Sequence, residues 1–144
     1  MRAVTIGEAA RSAGCKAPTI RYYEQIGLMP SPDRTCGNQR LYAGADVERL
    51  SFIRHARDLG FSIEAIRELL DLADQPDRPC EEADAIAFRH LQDVRARIAR
   101  MQALAAELER MLEQCAGGVI SSCRVIDSLG DHSACIAQTH AAAA

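Results

Sequence analysis

Tryptophan is absent from the sequence, and the only other aromatic residues are three tyrosines and three phenylalanines. This scarcity leaves too few rings for an aromatic core. Leu, Ile and Ala make up most of the apolar residues instead, as is typical of a helical protein whose core consists of narrow seams between helices. A chain of 144 residues accommodates one domain, or one compact domain with a long appendage.

Long apolar runs and a secretion signal are also missing. No run approaches the roughly 18 residues that identify a bilayer-spanning helix. The N-terminal residues do not combine a charged region with an apolar stretch, as a signal peptide would. We therefore expect a cytoplasmic protein with no membrane partner, in which thiols stay reduced. Six cysteines in that compartment favour metal binding or redox sensing over structural disulfides.

The patterns that mark common enzymes are lacking too. There is no Cys-x-x-Cys pair, which a thiol–disulfide enzyme needs, and no paired carboxylates, nucleophile elbow or phosphate loop. An iron–sulfur sensor would need four closely spaced thiolates, but only Cys123 and Cys135 follow Cys115. The sequence therefore predicts a protein that is not an enzyme.

The charge is unevenly divided along the chain. Residues 1–60 hold nine Arg or Lys against six Asp or Glu, whereas residues 61–144 hold eight against fourteen. The overall charge of −3 thus conceals a basic N-terminal half, which could meet a phosphate backbone. The bias is modest and does not by itself establish DNA binding.

Cys80 and Cys115 are separated by 35 residues, or five heptads, so a helix between them carries both thiols on one stripe. That stripe consists of Cys80, Asp84, Ala87, Leu91, Val94, Ile98, Met101, Ala105, Leu108, Leu112 and Cys115. The helix would be roughly 50 Å long, so the two thiols of one chain cannot meet. Two chains packed antiparallel would place Cys80 of one beside Cys115 of the other, with Cys123 folding back from a short loop. The spacing predicts a three-thiolate metal site in a homodimer.

The order of the remaining elements is that of a DNA-binding module. Helices predicted over Ile6 to Ala13 and Thr19 to Ile26, joined by a turn that contains Gly14, indicate a helix-turn-helix. A wing is predicted from Leu28 to Tyr42, because this stretch is rich in turn residues and only its end resembles a strand. The pattern then predicts a helix from Asp46 to Leu59, one capped by Ser62, the long helix, and a short helix from Cys123 to Leu129.

These features together resemble the MerR family of transcription regulators, and the cysteines resemble its heavy-metal-sensing branch for zinc, cadmium or lead. The matching residues are Ile6-Gly7-Glu8-Ala9-Ala10, Thr19-Ile20-Arg21-Tyr22-Tyr23-Glu24, Gly27-Leu28, Pro30, Arg34, Asn38, Arg40, Tyr42, Ile53-Arg54, Arg57 and Leu59-Gly60-Phe61-Ser62. The resemblance implies a mainly α fold. It comprises a winged helix-turn-helix domain with connecting helices (1–75), a long antiparallel coiled-coil dimerisation helix (80–115), and a metal-binding loop, short helix and tail (116–144).

The same resemblance assigns the DNA contacts. Arg21, Tyr22 and Tyr23 lie on the second helix, which resembles a recognition helix in the major groove. Arg34, Arg40, Tyr42 and Arg57 are expected to contact the DNA backbone, although Tyr23 and Tyr42 could instead be core residues. Members of the family act as homodimers on double-stranded promoter DNA. They distort the duplex when metal binds, which aligns the promoter elements for RNA polymerase.

Thiolates select soft cations. In copper-sensing relatives the position equivalent to Cys80 is typically Ser, so cysteine there favours a divalent ion, zinc or cadmium first and lead next. The seven-residue spacer between Cys115 and Cys123 instead resembles copper sensors, and mercury sensors use three thiols with a slightly longer loop. A Cu(I)- or Hg(II)-responsive regulator therefore remains an alternative, as does a metal-storage protein without DNA function.

The tail offers further possible ligands. Zinc prefers four ligands, so three thiolates leave one position open. His132, Cys135 or His140 could fill it or hold a second ion, or the tail could have no role in binding metal. Cys15 is expected to be a small buried residue and Cys36 an exposed thiol in the wing.

Overall fold

The structure is a computed structural model that describes residues 2–114 and 117–132. Its elements are β1 (Val4–Thr5), α1 (Ile6–Ala13), α2 (Ala17–Gln25), β2 (Asp33–Arg34), β3 (Arg40–Tyr42), α3 (Gly44–Asp58), α4 (Ile63–Ala73), α5 (Glu81–Glu113), a 3-10 turn (Ile120–Ser122) and α6 (Arg124–Gly130). The mainly helical fold with a winged helix-turn-helix and a long helix is confirmed. The chain forms two compact units, one up to Ile86 and one from Ala87 onward.

Helix α1 is defined by a cap at each end. The Thr5 hydroxyl accepts a hydrogen bond from the Glu8 amide, and the Glu8 carboxylate accepts one from the Thr5 amide at 2.8 Å, which forms a capping box. Gly14 ends the helix at φ +67°, a conformation that favours glycine. A Cβ at Gly14 would also collide with the guanidinium of Arg54. The left-handed backbone is the reason that the turn requires glycine, since the Arg54 side chain is flexible and could move aside.

The wing is larger than the sequence pattern predicts. Strands β2 and β3 form the expected hairpin, with Arg34 opposite Arg40, but β1 also joins the sheet on the other side of β3. Val4 pairs with Tyr42 there. Because β1 leads directly into α1, this pairing ties the wing to the start of the helix-turn-helix.

The core of the first unit lies between the helix-turn-helix and α3 and α4. Its fully buried residues include Ile20, Leu28, Leu50, Ile53 and Ile66. Burying such a side chain stabilises the fold by about 1.5–3 kcal/mol. The predicted cap at Ser62 is confirmed, since its hydroxyl accepts a hydrogen bond from the Ala65 amide at 3.1 Å. Helices α2 and α3 each begin two residues earlier than predicted.

The second unit contains most of α5, which ends at Glu113, and α6. The short helix predicted from Cys123 begins at Arg124 and follows the 3-10 turn. Along α5, apolar side chains at heptad spacing face solvent in the single chain. Among the described residues, no helix combines the length and apolar character that a membrane crossing demands.

Candidate DNA-binding surface and metal-binding thiols

Helix α2 presents one part of the predicted DNA-binding set to solvent and buries another. Arg21 is exposed, and half of the Tyr22 surface is accessible. Tyr23 is 7% exposed and belongs to the core, with its ring centroid 5.9 Å from that of Tyr22. The exposed pair is therefore available to a partner, whereas Tyr23 supports the helix from beneath.

Tyr42 and Arg40, both on β3, converge on one carboxylate of α2. The Tyr42 hydroxyl donates a hydrogen bond to Glu24 Oε1, and Arg40 Nε donates one to Glu24 Oε2 at 3.1 Å. The Tyr42 side chain is buried, which raises the pKa of its hydroxyl, and the nearby Glu24 carboxylate raises it further. Tyr42 is therefore a protonated donor that links the wing to α2.

The other two predicted DNA contacts lie on the surface of the first unit. Arg34 is exposed on β2 and donates through Nη1 to the carbonyl and side-chain oxygens of Asn38, at 3.1 and 3.2 Å. Arg57 is exposed near the end of α3 and donates through Nη1 to the Phe61 carbonyl at 2.9 Å. Each contact uses only some of the five donors of a guanidinium, which leaves others for a phosphate oxygen.

A concave site of about 420 Å³ lies where α1, α2 and the wing meet. It is lined by Thr5, Ile6, Gly7, Arg21, Asn38, Gln39 and Arg40. Two of these residues are cationic and none is acidic, but Arg40 is paired with Glu24, and the Glu8 carboxylate caps the start of α1 at Thr5. The chemistry of this lining suits an anionic oxygen such as that of a phosphate.

The structure places two of the three predicted metal-binding thiols. Cys80 is exposed immediately before α5, with its Sγ 3.9 Å from Oδ1 of Asp84. Cys123 is half-buried at the residue that precedes α6. Cys115, Cys135 and His140 lie outside the described residues, and His132 is exposed. These two thiols are soft donors and fit a soft cation, though no cluster of three or more ligating side chains occurs within residues 2–114 and 117–132.

The other two cysteines differ in exposure. Cys36 is exposed in the wing, as predicted. Cys15 is partly buried against the core, and its Sγ donates to the Ala13 carbonyl at 3.8 Å. Burial raises the pKa of the Cys15 thiol; the nearby Arg54 opposes this rise and Asp58 adds to it.

We therefore expect iodoacetamide at pH 8 to alkylate Cys36 several-fold faster than Cys15. A raised pKa leaves less of the thiol as reactive thiolate at that pH, and burial slows access of the reagent. Peptide mass spectrometry over a time course measures both rates, and the difference should disappear in denaturant. Equal rates in the folded protein would contradict the placement of Cys15.

The sequence pattern does not reveal three residues that hold α2 in place. Glu24 was part of the motif but was given no role, although it lies four residues after the core residue Ile20 and so on the same face of α2. Arg49 Nε donates to the Leu28 carbonyl at 2.9 Å, and Arg67 Nη2 donates to the Ile26 carbonyl at 2.8 Å. These arginines satisfy carbonyls just beyond α2, which no local pattern could reveal.

Comparison with known proteins agrees with this arrangement. A family model described as MerR HTH family regulatory protein matches residues 4–73, and one described as MerR, DNA binding matches residues 47–111. The chain is 45% identical to the HTH-type transcriptional regulator ZntR of Escherichia coli K12 over 127 residues, which cover 86% of this chain and 90% of that protein.

Two further relatives bear on the metal. The mercuric resistance operon regulatory protein of Serratia marcescens is 43% identical over 129 residues, which cover 88% of this chain and 87% of that one. The structure of PbrR691 from Ralstonia metallidurans CH34 in complex with lead(II) matches with a TM-score of 0.76 at 37% identity, and covers 90% of this chain and 98% of that one. The resemblance inferred from the motif is thus confirmed: the chain belongs to the MerR family of helix-turn-helix regulatory proteins, as a DNA-binding regulator and not an enzyme.

Proposed function

We propose that this member of the MerR family is a metal-responsive transcription regulator that binds promoter DNA as a homodimer. A divalent soft cation, zinc or cadmium first and lead next, makes it distort the duplex so that RNA polymerase can use the promoter. The observation that carries the proposal is the exposed thiol of Cys80, because Cys80 belongs to the same compact unit as the predicted DNA contacts. A DNA-binding regulator acts in the cytoplasm, and a storage protein without DNA function does not fit this family.

The mechanism follows from how the thiols are divided between the two units. Cys80 is in the first unit and Cys123 is in the second, and Cys115 follows α5 in the sequence. In an antiparallel dimer, an ion held by Cys80 of one chain and by Cys115 and Cys123 of the other joins a DNA-binding unit to the opposite chain. The ion would then favour the one arrangement of DNA-binding units in which its ligands meet. Such differential affinity is what a ligand needs to shift a conformational equilibrium.

The dimer is supported by the apolar stripe on α5. Leu91, Ile98, Met101, Leu108 and Leu112 are between 42% and 67% exposed in the single chain. Continuous apolar surface of this kind marks an interaction site. Its heptad spacing fits a coiled coil, in which each of these side chains inserts between residues of the facing helix.

The burial pattern divides the proposed DNA contacts into three groups. Arg21, Tyr22, Arg34 and Arg57 are exposed and can reach phosphate or base edges. Tyr23 and Tyr42 are buried, so we propose that they act by holding α2 and the wing in place. Arg40 is intermediate, with a side chain that is 28% exposed beside its carboxylate partner.

We expect Arg21→Ala to weaken promoter binding about tenfold, both with and without metal, because it removes a cation from the recognition helix. Fluorescence anisotropy with the DNA upstream of the protein's own coding sequence measures this change. Arg100→Ala, which removes an exposed cation from α5, is the matched control and should leave the affinity unchanged. Native affinity of Arg21→Ala would refute its place on the DNA surface.

The identity of the metal is tested by induction of the native promoter across a panel of metals. We expect zinc and cadmium to induce most strongly, since three thiolates and a cysteine at position 80 suit a divalent ion better than Cu(I). Similar proteins include mercuric resistance operon regulatory proteins and PbrR691 in complex with lead(II). Induction by Cu(I) or Hg(II) alone would therefore support the alternative regulator and reject the proposed zinc or cadmium effector.

A further inference from the structure

Glu24 joins two parts of the proposed DNA-binding surface through a nearly buried carboxylate. Its side chain is 9% exposed and lies on α2, whereas both of its partners, Arg40 and Tyr42, lie on β3. Each carboxylate oxygen has its own donor: Oε1 accepts from the Tyr42 hydroxyl, and Oε2 accepts from Arg40 Nε at 3.1 Å. Two separate contacts restrict the rotation of β3 relative to α2 more strongly than one would.

We propose that Glu24 is a positioning residue for DNA binding, which fixes the wing against the recognition helix and aims the Arg40 guanidinium at a phosphate. This inference rests on the proposed DNA-binding function of that surface. It assigns to Glu24 no contact with DNA.

The geometry of Arg40 supports this role. Its contact with Glu24 uses Nε, which leaves the four N–H groups on its two terminal nitrogens outside that contact, and Arg40 lines the concave site together with Arg21. An arginine held in this way loses less side-chain entropy when it binds an anion than a free one would. The carboxylate therefore prepares the guanidinium for a phosphate oxygen.

The contacts of Glu24 with β3 also influence the rest of the wing, because β3 pairs with the other two strands. Tyr42 pairs with Val4 of β1, and Arg40 pairs with Arg34 of β2. A shift of β3 relative to α2 would therefore also move Arg34, another proposed phosphate contact. Burial raises the pKa of the Tyr42 hydroxyl, so this second link stays protonated across the physiological range.

The charge of Glu24 makes the proposal easy to test, because simple electrostatics predicts the opposite result. A carboxylate beside a phosphate-binding surface repels DNA, so its removal should tighten binding if Glu24 has no positioning role. If Glu24 positions Arg40, Glu24→Gln should weaken binding about tenfold. It should also make the negative slope of log affinity against log salt concentration shallower by about 0.9, the value of one lost phosphate contact.

Asp33→Asn is the matched control, since Asp33 is an exposed carboxylate on β2. It removes the same charge from the wing without touching the link to α2, and it should bind DNA as tightly as the native chain or more tightly. Tyr42→Phe tests the second link, and its effect should be less than additive with that of Glu24→Gln. Thermal unfolding tests whether each variant is folded. If Glu24→Gln does not fold, Tyr42→Phe decides: a shallower salt slope supports the positioning role, and an unchanged slope overturns it.

The outcomes separate this inference from the function on which it rests. Weaker DNA binding by Glu24→Gln with a reduced salt slope supports the positioning role. Native or tighter binding with an unchanged slope, while Arg21→Ala and Arg34→Ala still weaken binding, overturns the positioning role alone. If neither arginine variant changes the affinity for the upstream DNA, the proposed DNA surface itself is wrong.

Discussion

A chain that carries Cys80→Ser should bind its promoter with native affinity but lose its transcriptional response to zinc and cadmium. Serine keeps the size and exposure of the side chain but replaces a soft thiolate with a hard hydroxyl, which binds these ions poorly. Cys80 precedes α5 and is exposed, so the substitution should not disturb the core of the first unit. Metal titration and transcription from the native promoter in vitro measure the two properties separately.

Cys36→Ser is the matched control, because it makes the same chemical change at another exposed thiol of the first unit. It should leave the metal response intact. If Cys80→Ser also responded normally to zinc and cadmium, Cys80 would not be a metal ligand. The proposed three-thiolate site would then be wrong. Loss of promoter binding by Cys80→Ser would show that Cys80 supports the fold of the first unit.

The contact of Cys80 with Asp84 adds a detail to this expectation. The Sγ of Cys80 is 3.9 Å from Asp84 Oδ1, one helical turn further along the chain. The Asp84 carboxylate can accept a hydrogen bond from the Cys80 thiol and so orient it, as long as the thiol keeps its proton. Binding of a cation replaces the thiol proton, so metal binding by Cys80 would compete with its contact to Asp84.

Much of this fold could be predicted because it is specified by local patterns. The cap predicted at Ser62 is present in the structure, and the boundaries of α1 agree with its apolar spacing. Strand β1 could not be found, since two residues carry no periodicity and Val4 pairs with a strand nearly 40 residues away. The pairing depends on the tertiary fold, which brings the start of α1 beside the wing.

In the candidate site, too, local patterns predict some features and the tertiary fold determines the others. The motif identified Arg21, Arg40 and Tyr42 as candidates, but it could not tell which of them are accessible to a partner and which are buried in the fold. That distinction depends on burial: Tyr42 is nearly fully buried, whereas Arg21 is exposed. The role of Glu24 depends on two long-range contacts, so it becomes visible only when α2 and β3 are placed together.

The proposed dimer places Ile98 at the centre of its helix pair. In an antiparallel pairing that places Cys80 beside Cys115, the midpoint of the helix falls between residues 97 and 98. Ile98 would therefore lie next to the two-fold axis and face its own copy in the other chain. It is 51% exposed in the single chain, so the first unit does not need it for folding.

We expect Ile98→Glu to convert the dimer into a monomer at micromolar concentration. Two carboxylates would be forced together in an apolar seam, which costs several kcal/mol and weakens association more than a hundredfold. Sedimentation measures the mass of the particle, and anisotropy measures the affinity for the upstream DNA. That affinity should fall strongly, since a monomer can occupy only half of a two-fold site.

Ala96→Glu provides the matched control for this experiment. Ala96 is exposed, and its heptad position lies opposite the stripe, so the same added charge should leave both the dimer and the DNA affinity unchanged. A dimeric Ile98→Glu variant would show that the stripe is not the dimer seam. Since the proposed metal site takes its thiolates from two chains, a monomeric variant should also lose high-affinity metal binding while every cysteine is still present.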